Sequence, residues 1–535
     1  MSDDAAIALL SVYDKTGIET FARGLSELGW QLYASGGTAK ALSDAGLEVK
    51  DAAELVGGEA ILGHRVVTLS REISAGLLAD KQNPDDMAEM AKLGLPIIDL
   101  VCVDMYPLEQ AIFDGADVLE KTDIGGPTLL RAAAKGRRIV LSHAEQRQPL
   151  LEWLKSGQPD GDQFRRELAA RAEYEVARYV AASAQHWNGN GISSLIARQH
   201  TPAKYGENPW QAEAAFYADN RVQPDPLGLD KFEHVQGMER SFINLTDIDR
   251  LLQTVTHIAA GFDQNFDSVP AIAVGVKHGN ACGAAVADDP IEAVKMMLEG
   301  DTRAIFGGVV MVNAAIDRPL ADALMRHAVE GDKPRLLDGV VGASVTDEAL
   351  KILSRNKLRV VVNPALAELS VGSLDTKRRL RPVRGGTLAQ PNYDFVLDFA
   401  AEYMQYHGEV SDQQKRDMAL AWAVGSTSNS NTISLVKKGQ LIGNGVGQQD
   451  RVGAAQLALS RTTDRNKQKL AGAVAYSDSF FPFPDGPEIL ASAGIAAILA
   501  TSGSVGDEAV IKTLTEAGVS LAMLSDKIGR GFYMH

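Results

Sequence analysis

Within its first strand-sized runs the chain commits to alternating strands and helices. Ala5 to Val12 reads as a buried strand, and Ile18, Phe21, Ala22, Leu25 and Leu28 then fall on one helical face stopped by Gly29. A second strand, Trp30 to Ala34, follows at once and runs into Ser35, Gly36, Gly37 and Thr38, with a helix from Ala39. Strand, helix, strand, turn, helix is the grammar of an α/β sheet with crossover helices. Amides of a Gly-rich turn at a helix start form an anion cradle, so Ser35 to Thr38 predict a phosphate site. Many such turns only close a βα unit. Here a second polar cluster, Ser11 to Gly17 with Lys15, ends the first strand, where open parallel sheets hold their ligands. Two turns at neighbouring strand ends are the stronger sign.

Composition limits what such a chain can do. At 535 residues it exceeds one ordinary core. Hydrophobic residues at 45% and 50 glycines fit a globular, loop-rich α/β protein. The formal charge is -16, from 69 acidic against 53 basic residues, which disfavours nucleic acid and anionic membrane as partners. The start, MSDDAAIALL, lacks the basic region of a secretory signal, and no apolar run reaches a membrane span, so a cytoplasmic protein is expected. Cys102 and Cys282 alone supply no disulfide framework and no Cys-based zinc site.

Further along, Gly63 to Thr68 precedes a polar segment, and Ile97 to Met105 is a strand ending in Tyr106-Pro107. Asp123 to Thr128 opens a helix, Leu129 to Lys135, with Arg131 and Lys135 at i, i+4 on one face. Helices from Gln163 to about Ser183 lead to a turn-rich cluster, and the domain boundary is placed between there and Pro202, giving domains 1–199 and 200–535. The second domain opens on Lys204-Tyr205-Gly206-Glu207-Asn208-Pro209-Trp210-Gln211, a polar, turn-prone binding loop. Ser241 to Asp247 starts a helix. Residues 428–431 and 443–451 bracket a strand, Thr432 to Val436, and GNGVG within the second lacks the context of a dinucleotide fingerprint.

The most chemical stretch is Ala273 to Gly283, an apolar run that delivers Lys277 and His278 into a turn. Neighbours in a strand face opposite ways, so both serve one site only if the backbone turns at once, as Gly279-Asn280 would allow. An ammonium beside an imidazole favours the neutral, proton-accepting form, so the pair could move protons and hold an oxyanion. A surface lysine beside a turn histidine has the same local sequence.

Taken together, SVYDKTG, YASGGTAKAL, VDMYPLEQ, DIGGPTLLRAAAK, KYGENPWQ, INLTDID, VKHGNACG, AIFGGVV, SNTI, IGNGVGQQDR and SDSFFPF resemble the 5-aminoimidazole-4-carboxamide ribonucleotide (AICAR) transformylase/IMP cyclohydrolase family across nearly the whole chain. The resemblance implies a methylglyoxal-synthase-like N-terminal domain, a C-terminal region of two cytidine-deaminase-like folds, and a homodimer with composite sites. It implies 10-formyltetrahydrofolate as co-substrate, AICAR, formyl-AICAR and IMP as ligands, and no metal, since the zinc set of a deaminase is missing.

By the same resemblance His278 accepts the amine proton, Lys277 stabilises the oxyanion or protonates the folate nitrogen, and Asn431 orients the formyl group. Lys204, Tyr205, Asn244, Gly308, Asp338, Arg451, Asp478, Phe480, Arg530 and Phe532 match substrate contacts. In the N-terminal domain Ser11, Lys15, Ser35, Gly36, Gly37, Thr38 and Arg65 match nucleotide contacts, and Tyr106, Asp123 and Lys135 match catalytic positions. The chain departs from the family's RVKTLHPKIHGG: a ring-closure lysine is Val67, its histidines are Ser70 and Ser74, and its proline is Arg71. Lys204, Trp210 and Asp450 replace the family's Arg, His and Ser. Formyl transfer is therefore expected with weakened cyclisation, against the alternative of a monofunctional transformylase whose N-terminal domain only binds nucleotide or supports a dimer.

Overall fold

A computed structural model describes residues 5–58, 61–62, 66–219 and 223–533. Chain contacts divide into two compact units, residues 1–197 with 219–222, and residues 198–218 with 223–535.

The first unit is a five-stranded sheet of β1 (Ile7–Val12), β2 (Gln31–Ala34), β3 (Lys50–Asp51), β4 (Leu100–Asp104) and β5 (Ile139–Leu141), ordered β3-β2-β1-β4-β5. All its pairings are parallel. The four strands other than the edge strand β3 are short, largely apolar runs buried on both faces, as parallel strands under crossover helices must be, whereas β3 is the partly exposed pair Lys50-Asp51. The chain order reverses between β1 and β4, which opens a crevice at their C-terminal ends. The helix expected from Ala39 starts earlier, at Gly36, so Gly36, Gly37 and Thr38 are its first turn. Gly125–Lys135 is one helix from the Gly-Gly pair onward, and the expected helices after Gln163 are a single one, Gly161–Asn188.

The second unit begins with a hairpin of β6 (Arg198–Pro202) and β7 (Ala215–Ala218). Its first half then supplies β8 (Glu233–Gln236), β9 (Ala271–Lys277), β10 (Asn280–Ala287), β11 (Val309–Val312), the short β12 (Ala315–Ile316), β13 (Gly339–Gly342), the short β14 (Ser344–Val345) and β15 (Arg359–Val362). A separate arm follows, β16 (Arg379–Val383) with β17 (Gly386–Gln390). The second half supplies β18 (Gln405–His407), β19 (Ile433–Lys437), β20 (Gln440–Gly445), β21 (Val474–Ser477), β22 (Ala497–Ser502) and β23 (Ser520–Ser525).

Twelve of these strands form one sheet, β18-β23-β22-β21-β19-β20-β10-β9-β11-β13-β15-β8. The sheet is one pattern written twice. Each half has an antiparallel hairpin, a third strand antiparallel to the hairpin's first strand, two more strands parallel to that third one, and an antiparallel edge. The halves meet antiparallel where β10 pairs with β20. On one face the long helices Phe242–Phe266 and Asp412–Ser426 share a core with Ile272, Val274 and Val276 of β9, while Ala273 faces the other layer.

Candidate functional site

In the first unit the polar residues of β1 and β2 meet at the crevice. Ser11 Oγ lies 2.7 Å from Ser35 Oγ. Thr38 is buried and its hydroxyl joins the first turn of its helix to β1, accepting from Val12 N–H and donating to Val12 C=O, both at 3.2 Å. Lys15 Nζ folds back onto the Val12 and Tyr13 carbonyls, and a Cβ added to Gly37 would sit 3.9 Å from its Cε. Burial lowers the Lys15 pKa, against the pull of Asp104 and Asp14. Tyr106 stacks edge-on against Tyr13 at 5.3 Å, which brings the end of β4 to the same place. Ser11, Lys15, Ser35, Gly37, Thr38 and Tyr106 are thus close together, with Gly36 in the same helix turn, whereas Arg65 lies outside the described residues.

Asp123 sits at the start of the helix Gly125–Lys135, its carboxylate accepting from Gly126 N–H at 2.9 Å. Burial pushes its pKa up, against hydrogen bonds from the amides of Gly126, Tyr106 and Gly125. Lys135 is at the other end of that helix, about 15 Å along the axis at 1.5 Å per residue. Both line a cavity of about 700 Å³ with Ser74, Tyr179 and Val180. Arg131, expected on one helix face with Lys135, lines the same cavity and also pairs with Glu173 at 3.4 Å between exposed side chains.

The departures found in sequence have local explanations. Val67 packs against the first unit's core, and its isopropyl group offers no charge to a reacting amide. Ser70 caps the helix Arg71–Leu78, its Oγ accepting from Ile73 N–H at 3.0 Å.

In the second unit Lys277 ends β9 and pairs in register with Asn280, so the two residues of the turn are His278 and Gly279 rather than the expected Gly279 and Asn280. Their φ values are +52° and +73°, the positive pair a two-residue hairpin demands; histidine is among the few non-glycine residues that tolerate it. His278 is exposed and Lys277 half-buried, with its Nζ 2.5 Å from Phe306 C=O. Gly308 lies behind them, where a Cβ would come within 2.7 Å of Val276 C=O. Asp338 N–H donates to Gly308 C=O at 2.9 Å. A cavity of about 530 Å³ opens beside the turn, lined by Lys277, His278, Asn280, Asn429, Asn444 and Arg461 among others.

Asn431 follows a cis peptide bond and is tied to Gln448 by both backbone groups, at 3.1 Å, and by its Nδ2, at 2.8 Å. Arg451 pairs with fully buried Asp478, which also accepts from Thr432 N–H. Arg530 is held by Asp526 at 2.8 Å and lies 5.7 Å over the Phe480 ring. The tail joins the same region, Gly531 N–H donating to Asp478 C=O at 3.2 Å, with Phe532 half-buried next to it. Tyr205 C=O accepts from Phe242 N–H at 3.3 Å, which sets the Lys204-Tyr205 loop on the start of the long helix. Asn244 gives its amide oxygen to a capping box with Ser241.

Sequence reading did not single out Asp247 or Arg250. Asp247 accepts from Gly279 N–H at 2.8 Å, and Arg250 donates to Gly279 C=O at 3.0 Å. A signal was available: Asn244, Asp247, Arg250, Gln253 and His257 recur every three or four residues along the helix Phe242–Phe266, and all five are buried. Among the described residues no group of three or more His, Cys, Asp or Glu side chains is placed to hold a metal ion, and no helix is long and apolar enough to cross a membrane.

Residues 17–128 match the MGS-like domain model, in line with the expected N-terminal domain, and residues 133–461 match the model AICARFT/IMPCHase bienzyme. The chain is similar to proteins named "Bifunctional purine biosynthesis protein PurH". That of Prochlorococcus marinus is 35% identical, over 99% of this chain and 100% of the relative. Those of Bacillus cytotoxicus (33%; 96% and 97%) and a Ruegeria species (36%; 96% and 96%) match over nearly the same extent. With a family model matching more than half of its length and these full-length relatives, the chain belongs to the AICARFT/IMPCHase bienzyme family.

Proposed function

We propose that this protein transfers the formyl group of 10-formyltetrahydrofolate to AICAR in purine biosynthesis, and that its N-terminal unit closes the product to IMP slowly. Residues 200–535 carry the transfer and residues 1–199 the cyclohydrolase-like site. The observation that carries the first part is the β9–β10 turn, which presents Lys277 and His278 together at the rim of a cavity. His278 takes the proton of the AICAR amine as that nitrogen bonds to the formyl carbon. Lys277 stabilises the oxyanion or gives a proton to the departing folate nitrogen, while Asn431 orients the formyl group. Arg451, Asp478, Phe480, Arg530, Phe532, Lys204, Tyr205, Asn244, Gly308 and Asp338 bind the two substrates around that centre.

In the N-terminal unit Ser11, Lys15 and Ser35 to Thr38, with Arg65, hold the nucleotide phosphate, and Tyr106, Asp123 and Lys135 serve ring closure. Val67 favours slow cyclisation, because an apolar side chain packed on the core replaces a lysine at this position. The second reading, a nucleotide-binding or dimer-supporting module without chemistry, rests on the same residue. The protein works in the cytoplasm as a homodimer, each six-stranded half of the large sheet being one cytidine-deaminase-like fold. The test follows AICAR, formyl-AICAR and IMP separately in one reaction. Formyl-AICAR accumulating ahead of IMP supports the proposal, IMP appearing without a lag contradicts slow cyclisation, and no consumption of AICAR contradicts transfer.

A further inference from the structure

Three segments of the proposed transfer site meet at one side chain. Arg250, on the helix Phe242–Phe266, is 6% exposed. Its Nε donates to Gly279 C=O at 3.0 Å, its Nη1 to Tyr533 C=O at 2.8 Å and its Nη2 to Asn429 Oδ1 at 3.1 Å. Gly279 follows His278 in the turn, Asn429 stands two residues before Asn431, and Tyr533 belongs to the tail that carries Arg530 and Phe532. Tyr533 is itself buried, with its N–H on Ser428 C=O at 2.9 Å and the Arg250 guanidinium 4.6 Å from its ring centre. Arg379 lies 3.9 Å from that centre too.

The same helix grips Gly279 twice. Asp247, one turn earlier, accepts its N–H, and Arg250 donates to its C=O, so both polar groups of the residue after His278 are fixed by side chains at i and i+3. The duplicated half supplies a control. There the corresponding turn, Lys438-Gly439, also has positive φ at both residues, and Asp417 accepts from both amides at 2.7–2.8 Å. The residue three positions after Asp417 is Leu420, fully buried. The acidic anchor thus belongs to the fold, while the arginine occurs only where the turn carries a histidine. Burying a guanidinium is costly, and desolvation brings this one down to about 10.

We propose that Arg250 is a positioning residue that transmits the seating of the C-terminal tail to the Lys277-His278 turn, so that His278 reaches its working position only when Tyr533 is docked. The proposal rests on the formyl-transfer reading of the site. A guanidinium is a rigid fork with several donors, suited to hold three acceptors at fixed angles, and an ammonium cannot replace it.

The test is a double-mutant cycle in the full-length protein, with Arg250→Met, Tyr533→Ala and the pair, read as kcat and KM together with the thermal midpoint. Arg250→Met is expected to lower kcat about 10²-fold, the effect of misplacing a catalytic group by about an ångström, with a much smaller change in KM for 10-formyltetrahydrofolate. Tyr533→Ala lowers kcat as well, and adds little once Arg250 is gone. Arg250→Lys falls between wild type and Arg250→Met, and replaces it in the cycle should Arg250→Met not fold. Additive losses, or a lowered thermal midpoint with unchanged kcat, overturn the proposal. A wild-type protein without formyl transfer overturns the functional reading instead. In that event amide exchange decides: Arg250→Lys and Tyr533→Ala both speed exchange of residues 277–280 if the link exists, and leave it unchanged if it does not.

Discussion

His278 is the residue on which the proposed chemistry turns, and its place at the first position of a two-residue hairpin loop leaves the imidazole exposed at the cavity rim. His278→Ala is expected to lose about 10²–10⁴ in kcat, the usual cost of a missing general base, with AICAR binding by calorimetry nearly unchanged. Near-normal turnover would remove His278 from the mechanism. Asn431→Ala should lower kcat more than it raises KM, since an orienting contact matters most in the transition state; an effect confined to KM would make it a binding residue. The apolar run before Lys277 made this turn legible in sequence. Its register was not, because a histidine at positive φ is uncommon enough that Gly279-Asn280 looked the better pair. Asp247 and Arg250 stayed hidden for a different reason: each acts on a residue about thirty positions away through the packing of a helix on a hairpin, which no local pattern records.

Elements explain how the substituted N-terminal segment keeps its structure. Ser70 begins the helix Arg71–Leu78 with a side-chain cap, and Ser70→Ala should cost about 1 kcal/mol by urea unfolding of the first unit. No loss would mean that the helix is held by tertiary contacts alone. The long helix Phe242–Phe266 carries a pH dependence of its own. His257 is fully enclosed, stacked on Tyr393 at 5.3 Å, and burial lowers its pKa from 6.5 to about 4. The unfolded chain therefore binds a proton in this range that the folded one does not. The stability is present above pH 6.5 and is lost as pH falls towards 4, amounting to about 3 kcal/mol. His257→Phe, which keeps a ring for stacking, should flatten that part of the urea-unfolding profile; an unchanged slope would assign it to other groups. Helix and strand types were readable from periodicity, whereas boundaries moved by a few residues where glycines such as Gly36 and Gly125 enter first turns instead of preceding them.

At the scale of the whole molecule the duplication of the large sheet entered the sequence reading only through the family resemblance, which implied two like folds; the strand order and pairing of the two halves came from the structure. The family, by contrast, was legible from short motifs, which sit at strand ends and turns where backbone shape and chemistry both restrict the residue. A fragment beginning near residue 200 should keep formyl transfer, since the residues assigned to it lie within the second unit; a soluble, inactive fragment would show that the first unit is required. Val67→Lys alone should restore cyclisation only in part, because Ser70, Arg71 and Ser74 belong to a segment remade around a capped helix. The most direct test of the account is a single-turnover experiment with the full chain, AICAR and 10-formyltetrahydrofolate, resolving formyl-AICAR from IMP over time. The account predicts rapid formation of formyl-AICAR, abolished by His278→Ala, followed by slow appearance of IMP. Formation of formyl-AICAR that survives His278→Ala, or IMP that rises without a lag, would contradict it.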